Sequence, residues 1–82
     1  MPRLTADLYD AALRLVSAVQ RSGAPYAIYL IDGDTRMAPL ASGRQASLHK
    51  RYANQLVGIY DRRASASNVY DDLREVWQIN HT

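Results

Sequence analysis

The chain has 82 residues, 48% apolar and 22% charged, no cysteine, and a formal net charge of +2. That length accommodates one domain with a thin core, the composition excludes a disordered chain, and the lack of cysteine removes disulfides, thiolate nucleophiles and sulfur-ligated zinc. The charge is lopsided: residues 36–63 carry +5 and the remainder −3, so the molecule reads as two-faced rather than uniformly basic.

At the N-terminus, Asp7 and Asp10 interrupt any apolar run, so neither a secretory signal nor a transit peptide is expected. No stretch approaches the ~20 apolar residues needed to cross a bilayer. With the missing cysteines, this points to the cytoplasm. Residues 1–82 read as a single small α+β domain.

The spacing predicts a first helix over about 5–22. Leu8, Ala12, Leu15, Val16 and Val19 form one apolar stripe, Thr5 is the expected N-cap, and Gly23 with Pro25 ends the helix. Asp7 and Asp10 suit the positive end of its dipole and Arg21 the negative end. Tyr26–Ile31 is rich in aromatic and β-branched residues and reads as a strand. Asp32-Gly33 then signals a type I′ hairpin turn, with a returning strand over about 35–40 that Pro39 confines to a sheet edge.

Residues 43–62 support two readings. Leu56-Val-Gly-Ile-Tyr60 alone resembles a strand. On a helical wheel, however, Ala46, Leu48, Tyr52, Ala53, Leu56, Val57, Ile59, Tyr60 and Ala64 share one half, while most polar residues share the other. Ser42 and Gln45 also match a capping box. The wheel favours one helix over 43–62, with Gly58 on its exposed side at about 1 kcal/mol. A last helix over about 68–80, capped by Ser67 or Asn68, turns Val69, Leu73, Val76 and Trp77 inward. The expected fold is therefore α+β, three helices packed on a two-stranded antiparallel hairpin in the order α-β-β-α-α. Both faces of the first strand are apolar, which predicts a homodimer that covers the second face or extends the sheet.

Little in the chain suggests catalysis. Ile31-Asp-Gly-Asp-Thr35 resembles the nucleophile motif of haloacid-dehalogenase-type phosphatases. That family places its threonine one residue further on and needs a doubly wound sheet, a distant lysine and further acids, for which this chain has no room. The bland reading is a hairpin turn with solvated acids. His49 and His81 are the only histidines, and neither has a triad partner at a suggestive spacing. Arg62-Arg-Ala-Ser65 resembles a basophilic kinase substrate, but such strings arise by chance in arginine-rich chains, and cations near the negative end of a helix are the better reading. Tyr52, Tyr60 and Trp77 read as core aromatics with polar tips rather than base-stacking platforms.

The arginine-rich stretch is the one candidate site. On the wheel Arg44, Arg51 and Arg62 align, Gln55 falls on the same line, and Lys50 and Arg63 flank it. Arginine offers a planar fork for carboxylate or phosphate. The sequence thus points to a small non-enzymatic interaction protein: an inhibitor, antitoxin, adaptor or phage-type regulator. It would bind an acidic or phosphate-bearing surface of a larger protein or nucleoprotein, with no cofactor, metal or membrane. Direct nucleic-acid binding through the same stripe is the alternative. A small metal-dependent hydrolase using Asp32 and Asp34 is the third reading.

Overall fold

The computed structural model describes residues 4–23, 25–40 and 43–80, leaving aside the side chains of 4–6, 45 and 80. In chain order these residues form α1 (Leu4–Ser22), β1 (Tyr26–Ile31), β2 (Asp34–Pro39), α2 (Gly43–Arg51), a short 3-10 turn (Ala53–Gln55), β3 (Leu56–Tyr60) and α3 (Ala66–Asn80). The Thr5 cap, the Ser42–Gln45 capping box and His81 fall outside what is described.

The hairpin forms as its sequence dictates. Asp32 and Gly33 both take positive φ, +54° and +78°, as a type I′ turn requires. The register pairs Ile31 with Asp34 and Tyr26 with Pro39. Just beyond, the Leu40 N–H donates to the Pro25 carbonyl at 3.4 Å. Ladder bonds alternate along an antiparallel pair. Odd-numbered residues of β1 therefore turn their N–H and C=O toward β2, and even-numbered ones away from it. Pro39 falls where a backbone N–H would point outward from the sheet, so its missing donor breaks no ladder bond.

The sheet has three strands, ordered β2-β1-β3, with β1 antiparallel to both neighbours. This corrects two expectations: the two-stranded sheet, and the single helix over 43–62. That segment breaks at Tyr52, and Leu56–Tyr60 becomes the third strand. Two forces decide it. Val57, Ile59 and Tyr60 are branched or aromatic and Gly58 disfavours a helix. In addition, Tyr26 and Ile28 present backbone groups on the second edge of a strand whose residues 27–30 are all buried. Buried backbone groups must be paired, and β3 pairs them, Tyr60 opposite Tyr26 and Gly58 opposite Ile28. A bulge between Ile28 and Tyr29 shifts the register, Leu56 standing opposite Tyr29.

The apolar residues divide between the two faces of the sheet. On one, Ile28 and Leu30 of β1 join Val57 and Tyr60 of β3, the predicted α1 stripe, and Val69 and Leu73 of α3. Val76 and Trp77 are half-buried, with Trp77 packed at the edge of this cluster. On the other, Ala27, Tyr29 and Ala38 form a smaller cluster, against which Leu48 and Tyr52 pack. The result is three layers, with α1 and α3 below the sheet and α2 above it. α3 is capped by Ser65, not Ser67 or Asn68: its Oγ accepts the Asn68 N–H at 3.2 Å and its carbonyl the Val69 N–H at 3.1 Å.

Tyr60 folds back over Gly58, and its hydroxyl donates to Asp72 Oδ2 at 2.5 Å, tying β3 to α3. Burial, reinforced by the bond to Asp72 and the charge of Asp72, pushes the phenol well above its usual 10.0. Burial also raises Tyr29. Above pH 10 the unfolded chain therefore ionises both groups while the folded chain keeps its protons. Stability is fully present below pH 10 and falls as pH rises beyond it. Melting curves between pH 8 and pH 12 are expected to decline only on the alkaline side, and Tyr60→Phe should make that decline shallower. A decline as steep in Tyr60→Phe as in wild type would contradict the buried phenol.

Candidate functional site

The predicted arginine stripe divides into two groups when β3 interrupts the helix. Arg44 and Arg51, seven positions apart, keep one side of α2 about 10 Å apart along its axis. Lys50 stands beside them, and all three are exposed. Leu48, one turn along from Arg44, and Tyr52, just beyond the end of α2, pack against the sheet and hold the helix there. His49, a polar residue on the apolar half of the wheel, is half-buried there, its Nδ1 hydrogen-bonded to the Tyr29 hydroxyl at 2.8 Å. The two rings meet edge to face at 5.9 Å. This pair fixes the rotation of α2 and so the outward aim of its cations. The Arg51 guanidinium lies 5.5 Å from the centre of the Tyr52 ring.

Arg36 of β2 joins this face, because it stands directly across from Tyr29 and shares its side of the sheet. Arg36, Arg44, Lys50 and Arg51 are exposed, and among the described residues none is held in an ion pair. α2 itself contains no acid, whereas α3 carries Asp71, Asp72 and Glu75 against Arg74. The charge asymmetry of the sequence thus becomes an asymmetry between layers of the fold.

Arg62 and Arg63 occupy the turn after β3. Asp61 organises that turn: its carboxylate accepts the Arg63 backbone N–H at 2.8 Å and the Arg63 guanidinium at 3.2 Å. These two bonds hold the Asp61 carboxyl below its usual range. The Ala64 N–H bonds the Asp61 carbonyl at 2.9 Å, and Gln20 of α1 donates to the Ala64 carbonyl at 3.3 Å. β2 and β3 end at the same end of the sheet, both opposite Tyr26. α2 starts four residues after β2, so its first turn, with Arg44, lies toward the end where Arg62 and Arg63 emerge. Lys50 and Arg51 lie at the far end of α2. Gln55 leaves the stripe: it is half-buried in the 3-10 turn, with its Oε1 buried and without a hydrogen-bond partner among the described residues.

Asp32 and Asp34 are exposed on either side of Gly33 in the hairpin turn. Among the described residues no group of three or more His, Asp or Glu side chains is placed to hold a metal ion, and no helix is long and apolar enough to cross a membrane.

One feature lay beyond the helical wheel. Pro25, Leu40 and Ile59 line a shallow depression at the end of the sheet, bordered by Asp61 and Arg63. Ile59 is 53% exposed. An alternating reading of Leu56–Tyr60 would have placed Ile59 on the face opposite Gly58 and Tyr60. Comparison with protein-family models, curated proteins and solved structures finds no match to this chain.

Proposed function

We propose that this chain is a non-catalytic binding protein that docks, through the outward side of α2 and Arg36, onto an acidic surface of a larger protein. The observation that carries this reading is the one-sided charge: exposed cations on the layer of α2, in no ion pair among the described residues, and a net-acidic α3 on the opposite layer. Exposed ion pairs inside a protein contribute little to stability, and among the described residues the cations of the α2 face make none, so folding does not account for their clustering. Arg44, Arg51 and Arg36 offer forked donors suited to carboxylates. A role as inhibitor, antitoxin, adaptor or regulator follows from docking of this kind, with specificity and association rate set by charge complementarity.

Reversing Arg44, Lys50 and Arg51 to Glu tests this. The circular dichroism spectrum and melting temperature should stay close to wild type, because exposed substitutions usually change stability by less than about 0.5 kcal/mol each. The partner recovered with the wild-type chain should be lost, whereas Asp71→Lys with Glu75→Lys on the opposite layer should retain it. Undiminished binding by the triple variant overturns the reading. A steep linear fall of log affinity with log salt, as counterions leave a phosphate backbone, would identify nucleic acid as the ligand instead.

A further inference from the structure

We infer that the depression formed by Pro25, Leu40 and Ile59 is an anchor site for one apolar side chain of an extended, acidic protein segment. The inference rests on the docking function proposed above and names the chemistry of the partner. Each strand contributes one apolar residue: Pro25 leads into β1, Leu40 follows β2 and Ile59 belongs to β3. The register places all three on the side of the sheet that α2 covers, at the end where β2 and β3 finish. Pro25 bonds Leu40, and Ile59 stands opposite the neighbouring Ala27. A half-exposed isoleucine beside a leucine and a proline is apolar surface that a partner side chain can remove from water.

The backbone supports an extended ligand. Gly58 and Tyr60 turn their ladder groups toward β1, so Ile59 turns its N–H and C=O outward from the edge of β3. A segment laid along this edge can bond those groups while its side chain enters the depression, as in strand addition to a sheet edge. The bulge near Val57 interrupts the edge further along and keeps that pairing short. The opposite edge is less receptive, because Pro39 removes an outward donor from β2.

Charge selects the occupant. Arg63 is 86% exposed at its side chain and is engaged by Asp61, while the neighbouring Arg62 is exposed and unpaired among the described residues. The cations of α2 lie on the same side of the sheet. A second copy docked about a two-fold axis would bring these arginines against their own equivalents, which is repulsive, whereas acidic residues flanking the anchor meet them favourably.

The test uses the full chain, labelled with nitrogen-15, and short blocked peptides of the form Glu-Glu-Leu-Glu-Glu. Amide shifts are expected at Ile59, Arg62 and Arg63. Changing the peptide Leu to Ser, or Ile59→Ser in the protein, should weaken binding about tenfold, the effect of one aliphatic side chain left in water. A Lys-Lys-Leu-Lys-Lys peptide should give no shift. The peptide substitution keeps the test decisive even where Ile59→Ser impairs folding. Shifts confined to Arg44–Arg51 overturn the anchor and leave the docking function standing, and shifts at neither place count against both. Ile59 shifts that grow with protein concentration alone mean that a second copy covers the depression, which also overturns the inference. So does a short DNA duplex that reproduces the peptide's shifts.

Discussion

Replacing Tyr29 by Ala is expected to destabilise the protein by about 3–5 kcal/mol, the range for removing a large buried aromatic side chain. Tyr29 is fully buried and is the largest such side chain among the described residues. It is also the centre of the smaller core, where only Ala27 and Ala38 are equally buried. A domain of this size has a total stability of roughly 4–12 kcal/mol, so the loss approaches global unfolding. The effect should concentrate in α2, because the His49 bond and the Leu48 and Tyr52 contacts are what hold that helix down. Hydrogen exchange in Gly43–Arg51 should accelerate before exchange in α1 or α3. Tyr29→Phe removes only the hydroxyl and should cost about 0.5–1.5 kcal/mol. Equal losses for Ala and Phe in urea denaturation would mean that α2 does not depend on this ring. Because α2 carries the docking cations, Tyr29→Ala should also weaken partner binding without altering any residue of the docking surface.

Gly58→Ala is expected to destabilise by about 1–3 kcal/mol, the usual range for overpacking a core. A Cβ at position 58 would stand 2.6 Å from the Tyr60 hydroxyl oxygen and 2.8 Å from Cζ of its ring. The ring tip cannot simply swing away, since the hydroxyl is held by Asp72. The melting temperature should fall by several degrees, at roughly 4–8 °C per kcal/mol for a small domain. The sign is diagnostic. In a helix over 43–62 the same substitution would gain up to about 1 kcal/mol. A rise in melting temperature would therefore refute the third strand and restore the helix. In a Tyr60→Ala background the penalty of Gly58→Ala should shrink, because the two positions share one contact.

Local pattern was enough for those parts of the fold that local physics governs. The α1 stripe, the termination of that helix near Gly23, the type I′ turn at Asp32-Gly33 and the inward residues of α3 follow from periodicity and backbone preference. The structure reproduces each of them. The concentration of cations between Arg36 and Arg63, and the acids of α3, were likewise readable as an imbalance along the chain.

Residues 43–60 had to be decided by tertiary context. Their apolar residues suit a helical half-circle and, from Leu56 onward, also suit a strand. The deciding quantity is the set of unpaired backbone groups on the second edge of β1, which becomes visible only once β1 is buried between helices. Pairing those groups drew Leu56–Tyr60 into the sheet, at the cost of the longer helix. That exchange also divided the arginines into an α2 group and a turn group. It carried Gln55 into a half-buried turn and brought Ile59 beside Pro25 and Leu40, residues about twenty to thirty-five positions away in the chain. Such a neighbourhood is created by strand pairing across the sheet and leaves no periodic trace in the sequence.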